Sequence, residues 1–410
     1  MARRHTHEHP SSVPERARRP LREATQVTLT ERPARRTRAG GRWEDGGVSL
    51  PPEHPLVTGT TEASPLITAY RGTRPERTPV WFMRQAGRSL PEYRELRIGT
   101  AMLDACLDPE MASEITLQPI RRHGTDAAIF FSDIVVPLKQ AGVAVEIVPG
   151  RGPVMGSSVR TAAEVDALVA LDPAVLDDTL EPIRAGVART VAGLAGIGDG
   201  ATPLIGFAGA PFTLAAYLVE GGPSKDHLAA RTLMHADPES WARLMAWCAD
   251  VTGRFLRAQI LAGASAAQLF DSWAGALSLD DYERYVAPAS RAALAHVADL
   301  PVPKVHFGVG TGELLGAMHR VGADVVGIDY RLALDEGIRR LGGTVPVQGN
   351  IDPALLAAPW PVLEAHVLDI LQRGTAAPSH VLNLGHGVPP ETDPDVLTRI
   401  VALAHDWQPA

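Results

Sequence analysis

The stretch that decides the fold runs from Lys304 to Val347 and reads KVHFGVGTGELLGAMHRVGADVVGIDYRLALDEGIRRLGGTVPV. Its apolar and β-branched runs predict three strands, separated by two segments with helical spacing: Lys304–Phe307, Val325–Ile328 and Val345–Val347 for the strands, Gly312–Val321 and Asp335–Leu341 for the helices. Strands that alternate with helices form parallel sheets, because each helix returns the chain to the same end of the sheet. The stretch therefore predicts an α/β fold.

The same alternation continues on both sides of this stretch. Five more strands are predicted, at Pro79–Phe82, Ala127–Phe131, Leu204–Phe207, Ala267–Phe270 and Val381–Leu384. Further helices are predicted at Pro109–Arg122, Ala162–Val169, Thr179–Leu194, Pro238–Ala262, Asp280–Ala298, Pro361–Gln372 and Pro394–His405. Eight strands with intervening helices favour a (β/α)8 TIM barrel in a single domain, residues 66–410, over a doubly wound sheet, which typically has fewer strands. The helical material from Pro211 to Ala262 exceeds one return helix and predicts a cap or interface element.

Residues 1–65 have a different composition and are predicted to form a disordered, Arg-rich extension. The first 60 residues hold 11 Arg, no Lys and 7 Asp or Glu, so they carry a net charge of +4 and the rest of the chain carries −12. They lack periodicity and have too few apolar groups to offset the entropy of ordering. Such a segment is either a tether for nucleic acid or an anionic membrane, or a dispensable extension or over-long gene model. The acidic body makes nucleic-acid binding an improbable main function.

The overall composition is that of a globular protein: 410 residues, 45% hydrophobic and 21% charged. No apolar run has the length of a signal peptide or membrane span, so we expect neither secretion nor membrane insertion. Cys106 and Cys248 are the only cysteines, and neither has a second Cys or His at ligand spacing. We therefore expect a cytoplasmic protein without a disulfide or a metal site.

Polar residues follow the predicted strands at their carboxyl ends, where barrel enzymes carry their chemistry. Arg84 and Arg88 follow the first predicted strand, Asp133 the second, Ser272 the fourth, at Ala267–Phe270, and His386 the last. Two arginines, a carboxylate and a histidine between glycines predict a pocket for a polyanion. Each also has a structural interpretation: the arginines could form a solvated surface pair, and Asp133 and His386 could cap turns.

A glycine-rich segment, His306–Gly312, resembles a phosphate-binding loop that opens a helix. It lacks the Gly-x-Gly-x-x-Gly pattern of dinucleotide sites, because Glu313 occupies the last place, and no Gly-Lys-Ser/Thr follows. A nucleotide cofactor is not predicted.

Two longer segments resemble the signature sequences of the uroporphyrinogen decarboxylase family: WFMRQAGR at Trp81–Arg88 and GFAGAPFTLAAYLVEG at Gly206–Gly221. Four more segments agree with the family in order, namely Phe131–Ile134, Gln268–Gly275, Gln348–Pro353 and Asn383–Gly387. The resemblance extends from about Arg71 to His405. It implies a homodimeric (β/α)8 barrel of haem biosynthesis that decarboxylates the four acetate side chains of uroporphyrinogen III, giving coproporphyrinogen III without metal or organic cofactor.

The resemblance also implies a set of site residues. Asp133 and Arg84 would be catalytic, and the substrate-binding residues would be Arg84, Arg88, Asp133, Tyr217, Phe270, Ser272 and His386. Asp271 and Trp273 flank Ser272 where some relatives carry Glu and His, which leaves the fine substrate preference open. The main alternative is a methyltransferase of the same superfamily that acts on methylated corrinoids and binds zinc through His and Cys. Neither cysteine follows a predicted strand, which argues against it.

Overall fold

The computed structural model describes residues 49–409, so residues 1–48, most of the predicted extension, lie outside the described part of the chain. It contains nine strands: β1 Ala128–Ile129, β2 Val145–Val148, β3 Gly152–Met155, β4 Leu204–Gly209, β5 Ala266–Phe270, β6 Lys304–Phe307, β7 Val325–Gly327, β8 Val347–Ile351 and β9 His380–Leu384. Seven of them form one parallel sheet in the order β1-β4-β5-β6-β7-β8-β9. The predicted α/β class with a parallel sheet is confirmed. β2 and β3 form a separate antiparallel hairpin, which the sequence analysis did not predict.

The helices of the described residues cover the chain between these strands. They are α1 Pro65–Tyr70, α2 Pro91–Leu96, α3 Met102–Leu107, α4 Pro109–His123, α5 Val136–Gln140, α6 Ala162–Val169, α7 Leu176–Thr179, α8 Glu181–Leu194, α9 Pro211–Glu220, α10 Leu228–Ala236, α11 Pro238–Leu261, α12 Leu279–Tyr285, α13 Ala287–Ala295, α14 Leu315–Arg320, α15 Leu334–Arg340, α16 Trp360–Gly374 and α17 Pro394–Asp406. Short 3-10 turns lie at Pro173–Val175, Ala274–Ala276 and Pro353–Ala357. None of these helices is long and apolar enough to cross a membrane.

Local chemistry explains where several helices begin. Asp108 starts α4 by accepting hydrogen bonds from the backbone N–H groups of Glu110 and Met111, and Pro109 occupies the first turn, where a missing N–H costs nothing. Thr161 and Glu164 form a reciprocal capping box at α6. The predicted helix Asp280–Ala298 is instead divided into α12 and α13 at Val286, two residues before Pro288, which has no N–H to continue the hydrogen-bond ladder.

The first predicted strand, Pro79–Phe82, forms only an isolated bridge, between Val80 and Leu382 of β9. Its backbone is nevertheless bonded on both sides: Leu382 N–H donates to Pro79 O at 2.9 Å, and Asp126 N–H donates to Val80 O at 2.8 Å, just before β1. The segment therefore lies between the two edge strands of the sheet. The predicted strand at Val345–Val347 is also shifted, because β8 begins only at Val347.

Buried side chains from distant strands meet on one side of the sheet. Gln348 of β8 donates from Nε2 to Gln268 Oε1 of β5 at 3.1 Å, and Trp81 Nε1 donates to Gln348 Oε1 at 3.2 Å. Two strands, β6 and β7, separate β5 from β8, which in a flat sheet would place them about 14 Å apart. A direct hydrogen bond between their short side chains requires the sheet to curl.

The ordered fold begins before the predicted boundary at residue 65. Leu50 and Leu56 are buried, and His54 Nε2 lies 3.2 Å from Ala264 O. Thr61 Oγ1 lies 2.9 Å from Ser265 Oγ, at the amino end of β5. The prediction of disorder is therefore wrong for residues 49–65. The few apolar residues of this segment have no helix or strand period. Only the tertiary contacts show that Leu50 and Leu56 are buried.

Candidate functional site

The loops at the carboxyl ends of the parallel strands form one rim of the sheet, and the loop Met83–Arg88 is fixed on it from both sides. Met83 N–H donates to Asn383 Oδ1 at 3.0 Å. Gln85 is fully buried and accepts from Phe82 N–H at 3.0 Å, while its Nε2 donates to Ala127 O at 2.9 Å. Arg84, between these anchors, has φ +63°, a left-handed conformation that is unfavourable for residues other than glycine. Such backbone strain persists only where the surrounding contacts enforce it.

The side chain of Arg84 runs along the backbone of Gly387. A Cβ atom at Gly387 would lie 2.4 Å from Arg84 Cδ and 3.0 Å from Nε, so only glycine allows this approach. Gly385 is restricted for the same kind of reason, since a Cβ there would lie 2.1 Å from Tyr330 N. The two glycines around His386 are thus required by two close contacts: Gly385 touches the loop of Tyr330, and Gly387 touches the loop of Arg84.

Asp133 follows β1 and is half-buried. Its Oδ1 accepts the Val135 N–H at 3.0 Å, and its backbone O accepts the Val136 N–H at 3.1 Å. Asp133 therefore caps the turn that follows β1, as the structural interpretation predicts. Oδ2 has no hydrogen-bond partner within residues 49–409. Burial raises the pKa of the Asp133 carboxyl, opposed by the Val135 N–H and by the charge of Arg84.

Tyr217 comes to the same place from α9. Burial, and then the negative charge of Asp133, raise the pKa of its hydroxyl, which the charge of Arg84 partly opposes. Its ring packs on Trp273 with centroids 3.9 Å apart, and Trp273 also stacks on His227, with centroids 4.4 Å apart. The Tyr217 hydroxyl is thus a neutral hydrogen-bond donor, held by an aromatic stack within electrostatic range of Asp133.

His386 lies two residues beyond β9 and is half-buried. Its Nδ1 lies 2.6 Å from the Gly387 N–H, and because a backbone amide can only donate, we assign the ring proton to Nε2. Burial, followed by the positive charges of Arg84 and Arg331, lowers the pKa of the ring. At neutral pH His386 is a neutral imidazole that offers one N–H donor.

Arg84, Asp133, Tyr217 and His386 are therefore brought together, and we call them the rim cluster. Their mutual influence is electrostatic: Arg84 acts on each of the other three side chains. The cluster combines one cation, one anion and two neutral donors. That set suits a ligand with several carboxylates and N–H groups of its own.

The other predicted site residues are Arg88, in the same loop as Arg84, and Phe270 and Ser272, at and after the carboxyl end of β5. Arg88 is exposed on the same loop as Arg84, but its charge acts on Tyr93, whose ring packs edge-on against Phe131 at 5.7 Å. No hydrogen bond or ion pair in the described part of the chain joins Arg88 to the cluster. Phe270 ends β5 with its ring edge-on to Phe207 at 5.5 Å, which forms an apolar wall.

Ser272 is half-buried and directly precedes Trp273. Because Ser272 is the chain neighbour of Trp273, whose ring packs on Tyr217, it lies beside the rim cluster. Sequence reasoning missed four residues that shape this region: Gln85, Trp273, Arg331 and Asn383. Gln85 lies inside the motif Trp81–Arg88, yet nothing in the motif distinguishes a loop anchor from a ligand contact.

The two cysteines lie inside helices and not in the loops that follow the strands. Cys106 lies in α3 and Cys248 in α11, both buried. Burial raises the pKa of both thiols, and for Cys106 the charge of Asp133 adds to the effect.

Comparison with known proteins gives consistent results. The family model described as uroporphyrinogen decarboxylase (URO-D) matches residues 61–407. A uroporphyrinogen decarboxylase of Leifsonia xyli subsp. xyli (strain CTCB07) is 66% identical over 377 residues, covering 88% of this chain and 99% of the relative. The protein of the same name from Arthrobacter sp. (strain FB24) is 68% identical over 353 residues, covering 86% of this chain and all of the relative (100%).

Among solved structures, a methyltransferase from Methanosarcina mazei is similar in fold, with a TM-score of 0.66 at 18% identity. The alignment covers 84% of this chain and 98% of that one. At this identity the likeness concerns the fold alone.

Proposed function

The chain belongs to the uroporphyrinogen decarboxylase family, and from this premise we propose that it removes carbon dioxide from the four acetate side chains of uroporphyrinogen III, giving coproporphyrinogen III. It is a carboxy-lyase of porphyrin biosynthesis. The methyltransferase alternative is not favoured, since the relatives of 66% and 68% identity are both named uroporphyrinogen decarboxylase.

The observation that carries the residue assignment is the convergence of Arg84, Asp133, Tyr217 and His386 at the carboxyl-end rim. The substrate has carboxylates at its periphery and pyrrole N–H groups at its centre. Cations and neutral donors suit the periphery, and an anion suits the centre. The cluster provides both within electrostatic range of each other.

The chemistry needs an acceptor for the electron pair that each departing carboxylate leaves. Protonation of the pyrrole carbon next to the acetate makes the ring cationic. The C–C bond to the carboxylate then breaks, its electron pair moves into the cationic ring, and carbon dioxide is released. A second proton is taken up at the exposed methylene carbon and becomes part of the new methyl group, while the first proton leaves the ring carbon. The ring of the substrate therefore supplies its own electron sink.

Asp133 stabilises the cationic ring in this scheme. Its Oδ2 is free to accept pyrrole N–H donors, while Val135 holds Oδ1 and fixes the carboxylate in place. The attraction between the carboxylate and the ring grows as positive charge develops, so the interaction is stronger in the transition state than in the ground state. Because the burial that raises the pKa of Asp133 also reduces its solvation, the anion gains more from a cationic partner.

Arg84 holds a substrate carboxylate next to the reacting ring. A guanidinium stays charged in proteins, so Arg84 acts in this scheme as a fixed cation. Tyr217 and His386 donate to further carboxylates, Arg88 binds one at the outer rim, Ser272 donates beside Trp273, and Phe270 packs against the macrocycle. Each charge-assisted hydrogen bond contributes about 1.5–3 kcal/mol to binding.

We also propose that the sheet closes into an eight-stranded barrel. Support comes from the backbone bonds of Pro79–Phe82 to both β9 and the start of β1, and from the Gln268–Gln348 hydrogen bond between distant strands. We further propose that the chain forms a homodimer in the cytoplasm, as the family resemblance implies. Analytical ultracentrifugation of the purified chain tests the dimer.

The product assay tests the proposed function directly. The purified chain, given uroporphyrinogen III without oxygen, should release carbon dioxide and form coproporphyrinogen III, with hepta-, hexa- and pentacarboxylate intermediates resolved by chromatography after oxidation. Activity should survive treatment with a chelator. No carbon dioxide release, or activity that a chelator abolishes and zinc restores, would contradict the proposal.

A further inference from the structure

We propose that Arg331 is a further substrate-binding residue, a rim arginine that holds a carboxylate of the macrocycle beside His386. This inference rests on the proposed function and extends it by naming a cation that the signature segments do not contain. Arg331 lies in the loop after β7, four residues beyond Gly327, and its side chain is exposed.

Contacts between loops place Arg331 on the same rim as the cluster. A Cβ atom at Gly310, in the loop after β6, would lie 2.9 Å from Arg331 Nη1, so the guanidinium lies against that loop. The adjacent Tyr330 presses its backbone against Gly385, next to His386. Arg331 is therefore fixed between the loop after β6 and the loop that carries His386.

The positive charge of Arg331 is not neutralised by a carboxylate of the described chain. Within residues 49–409 its guanidinium forms no ion pair within 4 Å. It lies over the ring of Tyr330, with Cζ 5.5 Å from the ring centroid. Stacking on an aromatic face holds a guanidinium in place and leaves its N–H donors free. A fixed, exposed cation with free donors is suited to bind a carboxylate.

The nearest structural alternative is that Arg331 compensates the buried Asp329. Asp329 is 2% exposed, and its Oδ2 accepts the Gly310 N–H at 2.6 Å, so this carboxylate already has a donor from the backbone. Arg331 also stabilises the Asp329 anion, through its charge and its own backbone N–H, but no ion pair within 4 Å joins the two side chains. The same positive charge acts on His386, where it adds to the effect of Arg84. Arg331 therefore contributes to the field in which the cluster works.

The test compares R331A with R399A. Arg399 is a matched control because it is also exposed and stacked on an aromatic ring, Trp360 at 3.8 Å, but it lies on α17, away from the rim loops. R331A should raise the KM for uroporphyrinogen III about 10-fold or more, with a smaller change in kcat, because a charge-assisted contact is lost. R331K should recover part of the affinity, and R399A should match the unmodified enzyme.

A second measurement tests whether the Arg331 charge lies beside His386 in the folded enzyme. Removing the Arg331 charge should raise the pKa of His386, followed by the ring proton signals in NMR titration of R331A, while R399A should leave it unchanged. The inference is overturned if the unmodified enzyme is active and R331A has the same KM as R399A. An inactive unmodified enzyme would instead contradict the proposed function, so the two failures are distinguishable.

Discussion

A single methyl group at position 387 tests whether the position of Arg84 matters for turnover. In Gly387→Ala the new Cβ would lie 2.4 Å from Arg84 Cδ, whereas carbon atoms in contact are separated by at least about 3.5 Å. The side chain of Arg84 must therefore retreat by about 1 Å. Its backbone cannot follow, because Met83 is bonded to Asn383 and Gln85 to Phe82 and Ala127. Gly387 itself does not have a positive φ, so alanine introduces no backbone strain.

A displacement of about 1 Å in a group that positions the substrate typically lowers the rate by about 100-fold. We expect kcat/KM of G387A for uroporphyrinogen III to fall by that factor, about 2.7 kcal/mol of lost transition-state stabilisation. The assay is initial coproporphyrinogen formation under anaerobic conditions, with the melting temperature measured in parallel. A folded G387A enzyme of unchanged kcat/KM would refute the reasoning that Arg84 acts from this position.

The matched control is Gly316→Ala. There too the new Cβ would approach an arginine, since it would lie 3.2 Å from Nη1 of Arg320, but that side chain is exposed and paired with Glu283 on the outside of the fold. G316A should retain full activity and gain stability, because alanine is favoured over glycine inside a helix by about 1 kcal/mol. Loss of activity in both variants would point to a general effect of the substitution.

Three further predictions follow from the same structure. Asp133→Asn keeps an oxygen for the Val135 N–H but removes the charge, so turnover should fall by about 100- to 1,000-fold with little change in melting temperature; near-normal turnover would exclude the proposed electrostatic role. His380 is buried with its Nε2 2.6 Å from Gly349 O, and burial lowers its pKa from 6.5 to about 4, so the fold loses stability as the pH falls through this range. His380→Gln retains a hydrogen-bond donor that does not titrate, so it should reduce the loss in free energy of unfolding between pH 7 and pH 4 by about 3 kcal/mol. Urea unfolding at the two pH values measures this loss. An unchanged pH dependence would show that His380 does not cause the loss of stability. Deletion of residues 1–48 should leave activity and melting temperature unchanged, whereas deletion of residues 1–60 should lower the melting temperature because it removes buried Leu50, His54 and Leu56; equal stability of the two truncated chains would contradict the packing of residues 49–60.

The amino-acid sequence by itself determined the class of the fold and the chemistry of the rim. Short apolar runs that alternate with longer helical patterns depend on local propensity and burial, and these are properties of neighbouring residues. β6 is predicted with its observed bounds, and α6 likewise. The residue types of the rim cluster also follow from motifs that are continuous in the chain, such as Trp81–Arg88.

Only the tertiary structure decided how these residues meet. Arg84 reaches the cluster because Gly387, about 300 positions later, has no side chain, and Tyr217 is held by a ring from the loop after β5. Arg331 follows no recognised motif, and its place beside His386 depends on contacts among three loops. Residues 49–64 have no periodic pattern, yet His54 and Thr61 are buried because the amino end of β5 offers them hydrogen-bond partners. Each of these features arises from packing between segments that are distant in the chain, and local sequence patterns carry no information about such contacts.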